Sequence, residues 1–332
     1  MSPNISVVIP AYNEAENLPV LKQRLAGVLE PYGDFEVLFV DDGSRDRSIE
    51  ILRSFNDADP RFAYVSLVRN FGHQNALKAG LDAALGDCVI MLDADLQHPP
   101  ELIPEMIERW RQGFEVVNMI RRDDGTSAFK RLTSRCFYRL VNAISDYQIR
   151  SGAADFRLLD RKVVDAVVGL GERTLFLRGL IPWLGFRHCD IDYVPDARLH
   201  GSSQYSLRRM LALAVDGITA SSIRPLRLST VLGIAMSALA MIYVVYALAI
   251  KLFVGTAISG WTSLLVGVML MGGVQLMILG ILGEYLGKVL VEIKGRPNYI
   301  VREKSQARAP STASVGRSSA ALRTVTAERK SR

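Results

Sequence analysis

Two uncharged runs of 22 residues, Ser229–Ile250 and Thr262–Gly283, limit most strongly what this chain can become. At about 1.5 Å of rise per residue, each makes a helix of about 33 Å, enough to cross a hydrocarbon core of about 30 Å. Neither run has a polar face, so both read as transmembrane helices rather than buried helices of a globular core. The intervening loop, Lys251–Trp261, carries one basic residue. Arg208, Arg209, Arg224 and Arg227 precede the pair, and Lys288, Lys294, Arg296, Arg302 and Lys304 follow it. By the positive-inside rule both flanks, and with them both termini, belong in the cytoplasm.

Charge is distributed unevenly along the rest. The net charge of +6 lies entirely in Arg302–Arg332, with eight basic and two acidic residues, leaving 32 of each sign before it. A neutral body argues against a nucleic-acid enzyme, whose basic surface belongs on the folded domain. The tail reads either as a segment lying on anionic lipid or as a solvated disordered one. Cys88, Cys136 and Cys189 are scattered without a CxxC pair, as reduced intracellular thiols are. A strand begins almost at the first residue, so no signal peptide is expected.

Through the first 120 residues short apolar runs alternate with helical periodicity. Ile5–Ile9, Phe35–Val40, Phe62–Val68, Cys88–Leu92 and Glu115–Ile120 read as strands, rich in Val, Ile and Leu as strands covered on both faces are. Helices are expected near Glu14–Leu29, Asp46–Asn56, Gln74–Ala84 and Pro100–Gln112. The alternation predicts an α/β domain with a mostly parallel sheet, its ligands lying beyond the carboxyl ends of the strands. Farther on, Phe129–Ile144 reads as helix, Phe156–Leu159 as strand, and Arg187–Tyr193 alternates. Thr174–Phe186 is apolar nearly all round apart from Arg178 and Pro182, and reads as an interfacial element, with a core helix as the alternative.

Polar motifs follow strands one, two and four. Asp93-Ala94-Asp95 ends the fourth strand, and residues i and i+2 of an extended segment point the same way. Both carboxylates then face one ion, and oxygen ligands suit Mg²⁺ or Mn²⁺, which keep positions open for substrate phosphates. Pro10-Ala11-Tyr12-Asn13-Glu14 follows strand one and Asp41-Asp42-Gly43-Ser44 follows strand two. An acid beyond strand two can bond a ribose hydroxyl or a base edge. Asn13 and Ser44 read equally as helix caps. No Gly-rich phosphate cradle is present, which disfavours dehydrogenases and P-loop enzymes.

The motifs together resemble glycosyltransferase family 2 with a GT-A fold, and within it the polyprenyl-phosphate sugar transferases. They are Val8-Ile9-Pro10-Ala11-Tyr12-Asn13-Glu14, Val40-Asp41-Asp42-Gly43-Ser44, Arg69-Asn70-Phe71-Gly72, Asp93-Ala94-Asp95-Leu96-Gln97-His98-Pro99, Asp155-Phe156-Arg157 and Arg198-x-x-Gly201-x-Ser203. Gly283-Glu284-Tyr285-Leu286-Gly287 and Lys294-Gly295-Arg296-Pro297 after the hairpin are similar to the bacterial subgroup. The resemblance implies an inverting transferase moving a sugar from a nucleoside diphosphate, UDP in the bacterial subgroup, to polyprenyl (undecaprenyl) phosphate for cell-envelope glycosylation. It implies that Pro10, Tyr12, Glu14 and Asp42 hold the nucleoside, and that Asp93, Ala94, Asp95 and Gln97 gather around the diphosphate. Asp93, Asp95 and Gln97 would hold Mg²⁺ or Mn²⁺. Arg198 would meet the donor diphosphate, and Arg121 with Lys130 or Arg131 the acceptor phosphate. Gln204 departs from the lysine or asparagine usual in the family.

Asp155 is the catalytic carboxylate by resemblance, beside Asp95 and Arg121. A phosphate monoester is already largely dianionic at pH 7, with a second pKa of about 6, so it needs little help from a base. Asp155 is therefore expected to orient Arg121 or the acceptor, or else to pair with Arg157 or another arginine. His73, His98, His188 and His200 show no metal-ligand spacing. A processive polysaccharide synthase is disfavoured because Arg109-Trp110 lacks the glutamine of a QxxRW motif. A non-catalytic nucleotide-sugar or lipid-binding protein is disfavoured by the intact acidic motif.

The expected organisation is a GT-A catalytic domain over 1–200, an amphipathic juxtamembrane segment over 201–228 and a membrane hairpin over 229–283. A cytoplasmic segment over 284–304 and a basic disordered tail over 305–332 complete it. Gly272, Gly273 and Gly280 suggest close helix packing, and tetramers in the family imply a homo-oligomer.

Overall fold

The computed structural model describes residues 5–122, 153–172, 176–196, 224–254 and 260–305. The expected helix over Phe129–Ile144, the juxtamembrane segment before 224, Gln204 and the tail beyond 305 lie outside them.

Strands β1 (Ile5–Ala11), β2 (Phe35–Asp41), β3 (Phe62–Leu67), β4 (Cys88–Met91), β5 (Val116–Arg121), β6 (Ala153–Asp160), β7 (His188–Tyr193) and β8 (Val301–Lys304) form one sheet in the order β7-β5-β6-β4-β1-β2-β3-β8. Only β6 and β8 run against the other six. The mostly parallel sheet is thus as the alternation predicted. Pro10 sits inside central β1 without breaking it. The Ile5 N–H points to the β2 side, so even-numbered residues face β4, and β4 pairing ends at Met91 before a Pro10 donor is needed.

Side chains alternate between two apolar layers. Ile5, Val7 and Ile9 face one with α1 (Leu18–Leu29), α2 (Ser48–Ala58) and α4 (Ile103–Arg111). Val8, Leu38 and Val40 face the other with α3 (His73–Ala83), α5 (Arg161–Gly169) and α6 (Leu177–Trp183). Helix α3 lies close to β1 because position 80 is glycine: a Cβ there would stand 2.2 Å from Val8 Cγ1.

Three elements differ from the sequence reading. Helix α1 starts at Leu18 rather than Glu14, because Glu14–Asn17 forms a turn closed by Asn17 N–H to Glu14 O at 3.0 Å. Helix α4 opens with a 3₁₀ turn, Pro100–Leu102. Within Thr174–Phe186 the described residues correct the interfacial reading, since Leu177, Leu180 and Ile181 of α6 are buried in the core. Among that stretch's described large apolar side chains, Trp183 alone stays strongly exposed, at 59%.

Helices α7 (Arg224–Val254) and α8 (Trp261–Ile293) run 31 and 33 residues and contact each other. Taken over the described residues alone, no helix is long and apolar enough to cross a membrane. Side chains at several positions of both helices, Leu228 and Leu265 among them, fall outside that set. After α8 the chain returns to the sheet, where β8 pairs antiparallel with the β3 edge. Tyr299 donates to Asp82 at 2.7 Å and Arg53 pairs with Glu303 at 2.6 Å, tying this return to α3 and α2.

Candidate active site

The loops after β1, β2 and β4 meet at the carboxyl end of the sheet. Asn13 adopts a left-handed backbone, φ 57°, which asparagine tolerates better than most residues. This turns its side chain so that Oδ1 accepts Arg45 N–H at 2.8 Å, while its own N–H donates to Ser44 Oγ at 3.0 Å. Glu14 N–H donates to Ser48 Oγ at 3.0 Å and Ala15 N–H to Asp46 at 3.2 Å. Asn13 and Ser44 are therefore cross-braces between two loops rather than helix caps. Tyr12, 40% exposed, stands at the loop rim.

Asp42 is 3% exposed, and its carboxylate accepts Phe71 N–H at 2.7 Å and Gly72 N–H at 2.9 Å. Burial pushes this carboxyl above its ordinary value against the pull of those two bonds. In this arrangement Asp42 pins the β3–α3 loop. Gly43 makes the pinning possible: it has φ 69°, and a Cβ there would meet Arg69 C at 2.4 Å.

Beyond β4, Leu96 is buried with φ 62°, a backbone rarely adopted by a branched side chain. Strain of this kind, of order 1–3 kcal/mol, gathers at functional sites. It falls between Asp95, whose Oδ1 accepts Gln97 N–H at 3.1 Å, and Gln97, whose side chain turns away. Gln97 Oε1 accepts from Arg121 Nη1 at 3.4 Å and does not line the cavity of Asp93 and Asp95. In this arrangement Gln97 meets Arg121 rather than lining the cavity beside those two carboxylates. His98, buried and stacked on Phe156 with ring centres 4.9 Å apart, accepts Asp93 N–H on Nδ1 at 3.0 Å. An accepting Nδ1 makes this ring a structural neighbour of Asp93, not a proton donor to it.

A cavity of about 520 Å³ is lined by Glu14, Phe71–Asn75, Asp93–Asp95, Asp155, Phe176 and Arg178. Pro10, Tyr12, Asp42, Gln97 and Arg121 stand outside that lining, while Lys130, Arg131 and Arg198 lie outside the described residues. Among the described residues no three His, Cys, Asp or Glu side chains are arranged to hold a metal alone. Two carboxylates with substrate phosphates completing the shell suit Mg²⁺-type binding. Asp93 Oδ1 fits that requirement: it is buried without a hydrogen-bond partner among the described residues, with His73 Nε2 3.5 Å away.

Asp155 was expected to orient Arg121 or the acceptor, or else to pair with Arg157 or another arginine, and the described residues show the pairing, with Arg178. Arg178 Nε donates to Oδ1 at 3.1 Å and Nη2 to Oδ2 at 3.0 Å, a two-pronged pair. His73 Nε2 lies 3.2 Å from Oδ2, Gln74 Nε2 donates at 3.1 Å, and Arg157 Nη2 stands at 3.7 Å. Burial, with 1% of Asp155 exposed, pushes its carboxyl up. The His73 bond and the Arg178 and Arg157 charges outweigh burial and hold it well below the usual carboxylate range. Burial pulls His73 down, yet Asp155 and Asp93 carry its value above the ordinary one. Sequence reasoning passed over His73, Gln74 and Arg178, because helix α3 and helix α6 carry no acidic signature of their own. Trp110 donates to Asp160 Oδ2 at 2.7 Å, so Arg109-Trp110 belongs to α4 packing.

The family model "Glycosyl transferase family 2" matches residues 6–168. An uncharacterized glycosyltransferase from Bacillus subtilis (strain 168), YkcC, is 46% identical over 90% of this chain and 93% of its own. The chain belongs to glycosyltransferase family 2. A "Bactoprenol glucosyl transferase" of Shigella phage SfII is 39% identical to this family 2 glycosyltransferase, over 90% of this chain and 97% of its own. Among solved structures, glucosyl-3-phosphoglycerate synthase from Mycobacterium tuberculosis, in complex with Mn²⁺, UDP and phosphoglyceric acid, is 22% identical. It covers 65% of this chain and 76% of its own, at a TM-score of 0.46.

Proposed function

We propose that this family 2 glycosyltransferase moves a sugar, with inversion, from a UDP-linked donor to a polyprenyl phosphate of the undecaprenyl class. The product is a lipid-linked monosaccharide for cell-envelope glycosylation. The observation that carries the reading is one cavity gathering Glu14, Asp93, Asp95, Asp155 and Arg178 at the carboxyl end of the sheet. The bactoprenol glucosyl transferase relatives, similar along nearly their whole length, support the acceptor.

Asp93 and Asp95 would hold Mg²⁺ or Mn²⁺, which supplies charge neutralisation for the departing diphosphate. Glu14, on the loop braced by Ser44 and Ser48, faces the donor from the nucleoside side. The acceptor phosphate brings its own negative oxygen, and Asp155, tied to three cationic or polar neighbours, positions rather than deprotonates.

Helices α7 and α8 are proposed as a membrane hairpin with the catalytic domain and both termini on the cytoplasmic face of the inner membrane. Val231, Leu252, Phe253, Leu276 and Ile293 are each more than half exposed, an apolar display that water does not tolerate. The 22-residue uncharged runs lie within these helices, and the arginines and lysines lie outside the runs. A homo-oligomer, tetrameric by family resemblance, and a lipid-facing or solvated tail complete the proposal.

The test uses the purified full chain with Mn²⁺ or Mg²⁺, a panel of nucleotide sugars and polyprenyl phosphate, reading the lipid product by mass spectrometry. A glycosyl-phosphate lipid formed from a UDP-sugar and lost in chelator is expected. Transfer only to another acceptor, or none from any donor, would sink the reading.

A further inference from the structure

We propose that the chain returning from α8, residues 298–305, is a positioning element of the donor site, with Arg302 and Tyr299 as its positioning residues. They hold the β3–α3 connection in the form that receives a nucleoside diphosphate. This rests on the UDP-donor reading above.

Burial does little to hold the returning chain in place. Ile300 is 50% exposed and Val301 40%, while the Tyr299 ring packs against the second apolar layer. A cavity of about 400 Å³, with Lys78, Asp82, Glu172 and Tyr299 on its wall, lies beneath it. The hold is polar instead. Asn298 Nδ2 donates to Glu172 O at 3.1 Å, and Glu303 pairs with Arg53 at 2.6 Å.

Two further grips fall on either side of Phe71–Asn75, the stretch that lines the active-site cavity. Before it, Val68 N–H donates to Ile300 O at 3.0 Å, and Val68 O accepts Arg302 Nη2 at 2.7 Å. The returning chain thus takes both polar backbone groups of the residue from which the loop departs. The β3–β8 ladder itself stops at Leu67 opposite Val301, so Arg302 carries support one residue past the strand. After the stretch, Tyr299 OH donates to Asp82 Oδ2 at 2.7 Å, and the other Asp82 oxygen accepts from buried Lys78. Asp82 and Lys78 belong to α3, whose first turn presents His73 and Gln74 to the cavity.

The inner side of the same loop is fixed from β2. Asp42 accepts Phe71 and Gly72 N–H, and the Arg69 backbone lies against Gly43. Support from the outer edge completes that hold. A loop ordered before the donor arrives leaves no ordering cost to binding. One in place only about a third of the time raises the apparent Kd about threefold.

Full-length Arg302→Met, Tyr299→Phe and Arg53→Gln, in detergent or nanodiscs with Mn²⁺, are compared with wild type. UDP binding is read by calorimetry, and initial rates are read with UDP-sugar and a short polyprenyl phosphate varied separately. UDP Kd and donor KM should rise about threefold or more in Arg302→Met and in Tyr299→Phe, and about tenfold in the double variant. Acceptor KM should stay within about twofold. Arg53→Gln cuts the tie to α2, away from the loop, and should leave UDP Kd unmoved. Should Arg302→Met fail to fold, Tyr299→Phe keeps the ring and carries the same comparison. A lowered melting temperature with UDP Kd unchanged overturns the proposal. So does Arg53→Gln weakening UDP equally, or acceptor KM rising together with donor KM. Wild type that binds no UDP removes the functional reading and this proposal together. Wild-type binding with unaltered variants removes this proposal alone.

Discussion

Asp95 and Asp155 sit in the same cavity, yet their surroundings assign them different work. Asp95 lies beside the strained Leu96 and is proposed to share an ion with Asp93. Asp95→Asn should keep the fold and cost transfer about a hundredfold or more, comparable to losing one positioned group at a charged transition state. Near-normal turnover with an unchanged melting curve would remove the metal assignment. For Asp155, a folded value held far below the usual range makes a poor proton acceptor. Asp155→Asn should therefore raise acceptor KM while leaving the acidic limb of the rate profile in place. Loss of that limb at saturating acceptor, with affinity unchanged, would make Asp155 the base. Stability follows the same sign. A depressed folded value means the contribution is whole above about pH 4 and is lost only as pH falls through the lower value. The variant also leaves Arg157, 2% exposed, without its buried counter-charge. Between about pH 5 and 9, urea titration should show a deficit of about 3 kcal/mol that shrinks as pH rises through the raised His73 value but does not close. A deficit that closes across that range contradicts the assigned shift.

At the scale of elements, the site is three loops locked to one another. Asp42 holds the β3–α3 loop by two N–H bonds, and Gly43 lets the β2–α2 loop approach Arg69 within a distance no side chain permits. Gly43→Ala should destabilise by about 2 kcal/mol or more, through its positive φ and the clash together. It should also weaken UDP binding by calorimetry, since Tyr12 and Glu14 ride on the braced loops; unchanged affinity would detach these loops from the nucleotide. Helix α6 shows where periodicity misleads. Thr174–Phe186 is apolar enough for an interface, but α3 and α5 cover its Leu177, Leu180 and Ile181 face. Which surface an apolar helix meets depends on distant segments, and no local pattern carries that information.

Among the described residues a sheet of eight strands joins a long helical hairpin, and β8 closes the chain back onto β3 after it. If the hairpin spans the bilayer with its loop outside, a cysteine at Ser259 should react with an impermeant maleimide from the periplasmic side alone. Cytoplasmic labelling would reverse the topology and part the enzyme from cytosolic nucleotide sugar. Much of this architecture was legible beforehand. Apolar strand runs fixed β1 to β5 within a residue or two, because burial on both faces demands continuous Val, Ile and Leu. The Asp93-Ala94-Asp95 pair was legible for a similar reason, as two carboxylates at the end of an apolar strand have few other uses. Strand β8 was not, since four residues reading Val-Arg-Glu-Lys become a strand only when an open edge is there to pair with. Nor was the Asp155–Arg178 pair, whose members come from β6 and α6 and meet through the packing of both against α3. Sequence alone determined what is periodic and local: the strands, the two apolar helices and the acidic pair. Tertiary structure decided which charges face one another, because a buried carboxylate takes its role from whichever cations the fold brings within hydrogen-bond reach.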